Sequence, residues 1–262
     1  MLTLAGKACN NSLRQFTNQV MLSPIPTMNW FRSENNDARS GSGRAVLIST
    51  AYCPPVAWMA VVLHHKHAAI EVYETYPRQT WRNRCRIMTA NGLLDLIIPV
   101  TKPHGNYTLT RDVVVSDHTS WQRHHWRSIV SAYQRAPYFI YYASLLESIY
   151  QKKFTGKLVD WNRRLFDLLN DELELDISLT DTSSYTKQEN NKLDFREILS
   201  PKRNWPDSGK SYIWPSYQQV FSNKHGFAGN LGAIDLMFNL GPDTKTYLEE
   251  CVYRLGTYDA DG

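Results

Sequence analysis

The stretch from Arg44 to Tyr73 constrains the fold more than any other part of the chain. It begins with AVLIST, a short β-branched run of the kind that forms a buried strand. Ala51-Tyr52-Cys53-Pro54-Pro55 follows as a loop in which proline presets φ, then a helix over Trp58 to His65 and a second strand over Ala69 to Tyr73. Strand, loop, helix and strand in that order make a βαβ unit. Such a unit demands a parallel sheet with helices against it, because parallel neighbours cannot be joined by a tight turn. The loop at the carboxyl end of the first strand, with Tyr52 in it, stands where open α/β sheets place ligands.

Further on, Arg111 to Val115 reads as another strand, and Ser120 stands at the N-cap of a helix from Trp121 to about Arg135, stopped by Pro137. Tyr138 to Lys153 and Leu158 to Leu175 read as helices, the second with apolar positions at Leu158, Trp161, Leu165, Leu168 and Leu169. Asp176 to Tyr212 turns polar and breaks often, which predicts a long lid-like excursion. Leu231 to Phe238 is a last short helix ending at Gly241-Pro242. Residues 1 to 43, ending in SENNDARSGSG, are polar and aperiodic. They read as a disordered extension, or as upstream sequence from a misplaced start with Met21 and Met28 as the true starts. The expected fold is therefore α/β, a single domain over residues 44 to 262. Its central, mainly parallel sheet is covered by helices and carries an inserted β-hairpin and a helical C-terminal half.

That hairpin is YPRQTWRNRCRIMTANGLLDLIIPV, residues 76 to 100. Asn91-Gly92 is the pair that accepts positive φ at both central positions of a type I′ turn. Such a turn sets Ile87 opposite Leu96 and Cys85 opposite Ile98, with Arg82, Arg84 and Arg86 on the other face beside Asp95. Guanidinium groups crowded on one face call for anions among them. Two readings follow: a phosphate or carboxylate site, or a solvated face with Arg86 paired to Asp95.

Two further segments carry groups that could do chemistry. In WQRHHWRSIVSAY, residues 121 to 133, a helix sets His125, Ile129 and Ala132 on one face and His124, Arg127 and Ser131 on the next. A histidine there is a proton donor or acceptor, or a buried ring hydrogen-bonded beside two tryptophans. In VFSNKHGFAGN, residues 220 to 230, Lys224 and His225 precede a flexible Gly226, and Asn230 leads into a helix whose first N–H groups attract anions. The same loop reads equally as an ordinary one with a solvated lysine. His64, His65 and His67 sit at a helix end, where positive side chains offset the dipole, so no metal is assigned to them. Motifs for a serine nucleophile, a P-loop or a GxGxxG turn are absent from the sequence.

Composition narrows the class of partner. A formal net charge of +4 over 262 residues is too small to imply a nucleic-acid protein. The four cysteines, Cys9, Cys53, Cys85 and Cys251, lie far apart without a CxxC pair, which argues against zinc and for free thiols in a reducing cytoplasm. No apolar run reaches the length of a membrane span, and none at the amino terminus supports a secretory signal.

Four segments in order, LISTAYCPPVAWMAVVL, YPRQTWRNRCRI with its later NG and IPV, WQRHHWRSIVSAY with PYF, and YQQVF with KHGF and NLGAIDLMFNLGP, resemble the WbqC-like protein family over roughly residues 45 to 250. Many members carry Gln-Pro-x-Phe-x-Pro after the first strand, where this chain has Ser49-Thr50-Ala51-Tyr52-Cys53-Pro54. The family's Asn-Arg stands here as Asn83-Arg84, and its helix motif as His125-Trp126-Arg127, which favours His125 over His124. The family takes its name from a component of bacterial O-antigen gene clusters. The resemblance therefore implies a cytoplasmic transferase that uses a phosphorylated or nucleotide-activated donor in surface-polysaccharide modification. The opening β-loop-α-β stretch is similar to the nucleotidyltransferase-like and Rossmann-like folds, where a later lysine loop closes over the phosphates. On that reading Arg78, Arg82 and Arg84 bind the anionic group, Asn83 positions the substrate, and Tyr52, Arg127, His225 and Asn230 line the site. His125 serves as acid or base and Lys224 offsets developing charge. Asn83 can share the site with Arg82 and Arg84 if the strand bulges there. No cofactor is specified. A nucleotide donor would bring Mg, for which Asp112, Asp117 and Asp235 are unassigned carboxylates. The competing reading is a non-catalytic module that binds an anionic ligand or a protein and scaffolds other enzymes. The two separate on whether His125, Arg84 and Lys224 converge in one cavity.

Overall fold

A three-residue strand is stable only between neighbours, and the computed structural model, which describes residues 46–187, 193–201 and 214–251, gives β1 (Val46–Ile48) a neighbour on each side. After β1 the chain forms α1 (Val56–His65), β2 (His67–Ile70), a 3-10 turn at Trp81–Asn83, and the hairpin of β3 (Arg84–Thr89) and β4 (Gly92–Ile97). Then come β5 (Val100–Thr101), a 3-10 turn at Thr110–Asp112 and β6 (Val114–Val115), followed by α2 (Trp121–Tyr133), α3 (Phe139–Gln151) and α4 (Leu158–Glu172). The final elements are β7 (Ser178–Asp181), α5 (Ser222–His225), α6 (Ile234–Leu240) and α7 (Thr244–Glu250).

β1, β2 and β7 form a parallel sheet in that spatial order, with Val46 opposite Ala68 and Ala68 opposite Leu179. The fold is α/β, with a small parallel sheet and helices around it. α1 crosses from β1 to β2, and its residues Val56 through Leu63 are all buried. A helix apolar on every side belongs inside a core. It ends where Lys66 enters the left-handed region at φ 62°, its Nζ held by the Leu175 carbonyl at 2.8 Å.

Two stretches of the polar excursion are built into the sheet rather than over it. β7 pairs with β2, and Leu193 and Phe195 exchange backbone bonds of 2.8 Å with Leu47 on the free side of β1. Ser178 and Asp181 do not look like strand residues. An outer strand has one solvated edge and tolerates them. Residues 188–192 and 202–213 of the excursion, and the amino-terminal extension, lie outside the described residues.

The hairpin turn differs from the expected type. Thr89 pairs with Gly92, so Ala90 and Asn91 form the turn, and positive φ falls on Gly92 alone, at 102°. This is the type I turn followed by a glycine bulge. The register moves by two residues as a result: Cys85 faces Leu96, Ile87 faces Leu94 and Arg86 faces Asp95. An even shift preserves sidedness, so Arg84 and Arg86 still share a face with Asp95. Arg82 does not, because the strand begins only at Arg84. Arg111 to Val115, expected as one strand, is divided between a 3-10 turn and the two-residue β6. Ser120 stands at the N-cap of α2, but its side chain makes no capping bond.

Trp161 of α4 is the centre of the aromatic packing. Trp121 meets it at 4.9 Å between ring centroids, Phe154 at 5.1 Å and Tyr150 at 5.5 Å, in edge-on or tilted arrangements that suit aromatic quadrupoles. The predicted apolar positions Leu158, Trp161, Leu165 and Leu169 form its buried face.

Candidate functional site

Parallel strands deliver their carboxyl ends to one edge of the sheet, where the chain must leave for a helix and a crevice opens. Here a cavity of about 120 Å³ lies at that edge, lined among others by Ser49 just past β1, Thr80, Trp81, Arg82, Arg196 and Glu197. An engineered cavity of about 150 Å³ takes up benzene, so this one has room for a single ring or a phosphoryl group rather than a whole nucleotide. Two tryptophans, Trp58 and Trp81, contribute to its wall. The Trp58 Nε1 donates to the Ser49 carbonyl at 2.9 Å, whereas the Trp81 Nε1 is buried and finds no acceptor among the described residues.

Arg82 is 5% exposed. Its Nε donates to Glu74 Oε1 at 3.0 Å, and its Nη2 donates to the same oxygen and to Ser49 Oγ at 2.6 Å. The Nη1 has no partner among the described residues. Burial holds the Glu74 carboxyl above the usual carboxylate range, although the Arg82 guanidinium beside it acts in the opposite direction. Arg82's own carbonyl is held by Asn162 of α4 at 2.8 Å, and that amide also reaches Thr50 Oγ1 at 3.1 Å. On the other wall, Arg196 grips Asp194 with Nε at 3.0 Å and Nη2 at 2.6 Å, and its Nη1 lies 3.8 Å from Glu71. Glu71 follows β2 and is wholly buried. It accepts from the backbone N–H groups of Tyr73 and Thr186, each at 2.8 Å, and from the Thr182 hydroxyl at 3.0 Å.

The hairpin arginines are engaged differently. Arg86 makes a fork on Asp95, Nε to Oδ1 at 2.7 Å and Nη2 to Oδ2 at 3.1 Å, and Arg84 reaches the same carboxylate at 3.2 Å. Arg86 also lies over the Trp81 ring, 5.5 Å from its centroid. One carboxylate thus already separates two guanidinium groups. Asn83 sits in the 3-10 turn, and its amide donates to the Ile98 carbonyl at 2.9 Å. Arg78 is exposed, one residue past Pro77 of the cavity wall.

His125 faces inward from α2 and is 7% exposed. Its Nδ1 shares a 2.9 Å hydrogen bond with the Tyr52 hydroxyl, which also meets the Tyr150 hydroxyl at 2.7 Å, and the Tyr52 and His125 rings stack at 5.7 Å. Burial lowers the His125 pKa to about 4, against a hydrogen bond at the Ile97 backbone that favours the charged form. The ring is therefore neutral near pH 7. Cys53 and Cys85 lie beside this group as buried free thiols, and Cys251 is a third. His124 and Arg127 point to solvent on the outer face of α2.

Lys224 and His225 both donate to the carbonyl of Ala90 at the hairpin tip, at 2.7 and 3.1 Å. Arg84, opposite Ile97, is at the other end of the strands, about 17 Å away at 3.4 Å per residue. His125 meets the backbone of Ile97, the residue opposite Arg84, whereas Lys224 is held at the hairpin tip. Asn230, at φ 54°, turns its Oδ1 to the Ala57 N–H at 2.9 Å and so caps α1 from a distant loop. The three carboxylates weighed for Mg also part company. Asp112 lies by Lys157 and Arg111, Asp117 pairs with Lys153 at 3.2 Å, and buried Asp235 accepts from Tyr217 and Gln219. Among the described residues no group of three or more His, Cys, Asp or Glu side chains could hold a metal ion, and no helix is long and apolar enough to cross a membrane.

Sequence reasoning passed over Glu71, Glu74, Trp81, Arg196 and Glu197. A signal existed for Glu71, an acidic residue inside the apolar alternation of Ile70 and Val72. For Arg196 and Glu197 there was little, since DFREIL lies in the polar excursion and nothing local ties it to β1.

A family model described as the WbqC-like protein family matches residues 51–204, which takes in Arg82, His125 and Glu197 and ends before Lys224. The uncharacterized protein Rv1507c of Mycobacterium tuberculosis (strain ATCC 25618 / H37Rv) is 26% identical over 196 residues, covering 67% of this chain and 84% of that relative. No solved structure matches the chain.

Proposed function

Since the chain belongs to the WbqC-like protein family, we propose that it is a transferase of bacterial surface-polysaccharide modification, seating the sugar of a phosphorylated donor in the cavity at the carboxyl edge of the sheet. The observation that carries this reading is Arg82, a buried guanidinium in the cavity wall with Nη1 unclaimed among the described residues. A sugar hydroxyl is a suitable acceptor for it, and tryptophan faces suit the C–H side of a pyranose. The cavity's size accepts the ring and leaves the phosphate outside, within the compass of exposed Arg78. Arg84 and Arg86 extend the positive border along the hairpin once Asp95 is counted against them. The β1–α1–β2 unit supports the finer description of the fold as nucleotidyltransferase-like or Rossmann-like. Work in the cytoplasm suits three buried thiols.

In this reading His125 is a positioning residue. Its neutral ring holds Tyr52, and through it the loop that follows Ala51 of the cavity wall. Lys224, His225 and Asn230 fasten the hairpin and α1 instead of touching the donor. That commitment of the acid–base candidates favours a second reading, a module that binds the same glycan precursor without turning it over.

Calorimetric titration with glucose 1-phosphate, glucose and inorganic phosphate tests the site, using the wild type and Arg78→Ala. The sugar phosphate should bind more tightly than glucose, and Arg78→Ala should remove that advantage while leaving glucose unaffected. Absence of heat with all three ligands would refute the cavity as a sugar site. Release of nucleotide from a nucleotide sugar, followed by phosphorus NMR with an acceptor glycan present, separates transferase from binding module.

A further inference from the structure

The cavity wall presents two guanidinium groups, Arg82 and Arg196, against one carboxylate, that of the exposed Glu197. Both arginine side chains are more than nine-tenths buried, and each is fixed from behind. Glu74 and the Ser49 hydroxyl take the Nε and Nη2 of Arg82. Asp194 takes the Nε of Arg196 and shares its Nη2 with the Thr186 carbonyl. The two carboxylates that hold them, Glu74 and Asp194, stand outside the lining. One Nη1 on each guanidinium is left without a hydrogen bond among the described residues, and neither is sealed from the surface. Glu71 lies 3.8 Å from the Arg196 Nη1, but its oxygens already accept from two backbone N–H groups and a hydroxyl.

A guanidinium gripped along one edge and open on the other is preorganised for a second acceptor, because the freedom of its side chain is already lost. A carboxylate suits such donors better than a neutral hydroxyl, since charge-assisted hydrogen bonds are roughly twice as strong. Space sets the other condition: about 120 Å³ takes one ring with small substituents. A carboxyl group on C5 of a pyranose meets both conditions, and it leaves the anomeric carbon C1 to carry the phosphate outside the cavity. Resting on the proposal that the cavity seats a sugar, we infer that this sugar is a uronic acid, its carboxylate bound by the Nη1 groups of Arg82 and Arg196. Glu197, exposed in the lining, is left to accept from the ring hydroxyls.

The test is calorimetric titration at about pH 7 and fixed ionic strength with D-glucuronate, D-glucuronamide and D-glucose. The acid and the amide share size and shape, and only the acid is charged. Wild-type protein should bind glucuronate about tenfold more tightly than glucuronamide or glucose, the scale of a hydrogen bond to a charged group. Arg196→Lys keeps a cation for Asp194 but has no Nη1, so the preference for acid over amide should fall to about twofold or less. A circular dichroism melt checks that this variant is folded; if it is not, the comparison of acid with amide in the wild type decides alone. Equal affinities for acid and amide in the wild type, or a preference that survives intact in folded Arg196→Lys, would overturn the assignment while leaving the sugar cavity standing. If none of the three binds, the functional proposal fails and takes this inference with it.

Discussion

Gly232 is a place where one methyl group should be felt. A Cβ built there would lie 2.5 Å from Cys85 Sγ, 3.1 Å from the Cys53 carbonyl oxygen and 3.4 Å from that of Arg86. The residue also donates its N–H to Arg86 at 2.8 Å, which ties the loop to β3 and limits its retreat. The conformation is not the difficulty, because Gly232 has no positive φ. The obstacle is space, and Cys85 is 1% exposed, so its thiol has no solvent to turn into. Overpacking of this kind costs about 1–3 kcal/mol, and for a domain of this size the melting temperature should fall by about 2–12 °C in Gly232→Ala. Cys85→Ala removes one buried heavy atom and should cost about 1 kcal/mol alone. In the double variant the new methyl enters the room the sulfur vacates, so the combined loss should be smaller than the sum by at least about 1 kcal/mol. Urea unfolding of the four proteins measures this as a cycle. Additivity within about 0.5 kcal/mol would refute the contact, as would a Gly232→Ala protein as stable as the wild type.

Buried His125 should make the protein acid-sensitive. With a folded pKa of about 4 against 6.5, the native state binds fewer protons than the unfolded state in between. Its contribution is intact above pH 6.5 and lost as pH falls toward 4, worth up to about 3 kcal/mol. His125→Gln should flatten that part of the pH dependence of the urea midpoint, and an unchanged profile would count against it. Arg82→Met should cost about 3–5 kcal/mol by leaving Glu74 buried without its cation, and Arg82→Met with Glu74→Gln should recover much of the loss in thermal unfolding. Asn230→Ala should cost about 1–2 kcal/mol through the lost cap and the positive φ, with Asn230→Gly less affected because glycine keeps the conformation. Asp95→Asn should give the hairpin measurable affinity for sulfate in equilibrium dialysis, since Arg84 and Arg86 would lose their shared counterion; no gain would show that those guanidinium groups are held otherwise.

Strong local patterns were readable from the chain. The βαβ opening, α2 with His125, Ile129 and Ala132 on one face, and α4 with its apolar spacing all follow from periodicity that neighbouring residues report to one another. The hairpin was legible as a hairpin and misjudged by two residues, because Asn91-Gly92 satisfies a two-residue turn and a glycine bulge equally well. β7 was hidden. Ser178-Leu179-Thr180-Asp181 has only a weak strand signature, and its reason for being extended is β2, more than 100 residues earlier in the chain. The same distance concealed the cavity, whose wall joins Ser49 to Arg196 through pairings that neither segment announces. The arginines were visible as charge, but their partners were not. Glu74 and Asp95 decide whether a guanidinium is free to meet a ligand, and only the fold says which arginine each one faces.

The placement of β1 has a consequence for how the protein is made. Its first neighbour, β2, leaves the ribosome soon after it, but the segment around Asp194 that covers its other side comes roughly 150 residues later. At about 5–20 residues per second that interval lasts roughly 7–30 s. Throughout it, a buried apolar strand has one bare edge, the kind that other nascent chains pair with. A chain cut short before Leu193 would keep that edge permanently. The excursion that looks least like structure in the sequence is thus the part that closes the sheet, and translation must reach it before the protein is safe from its neighbours.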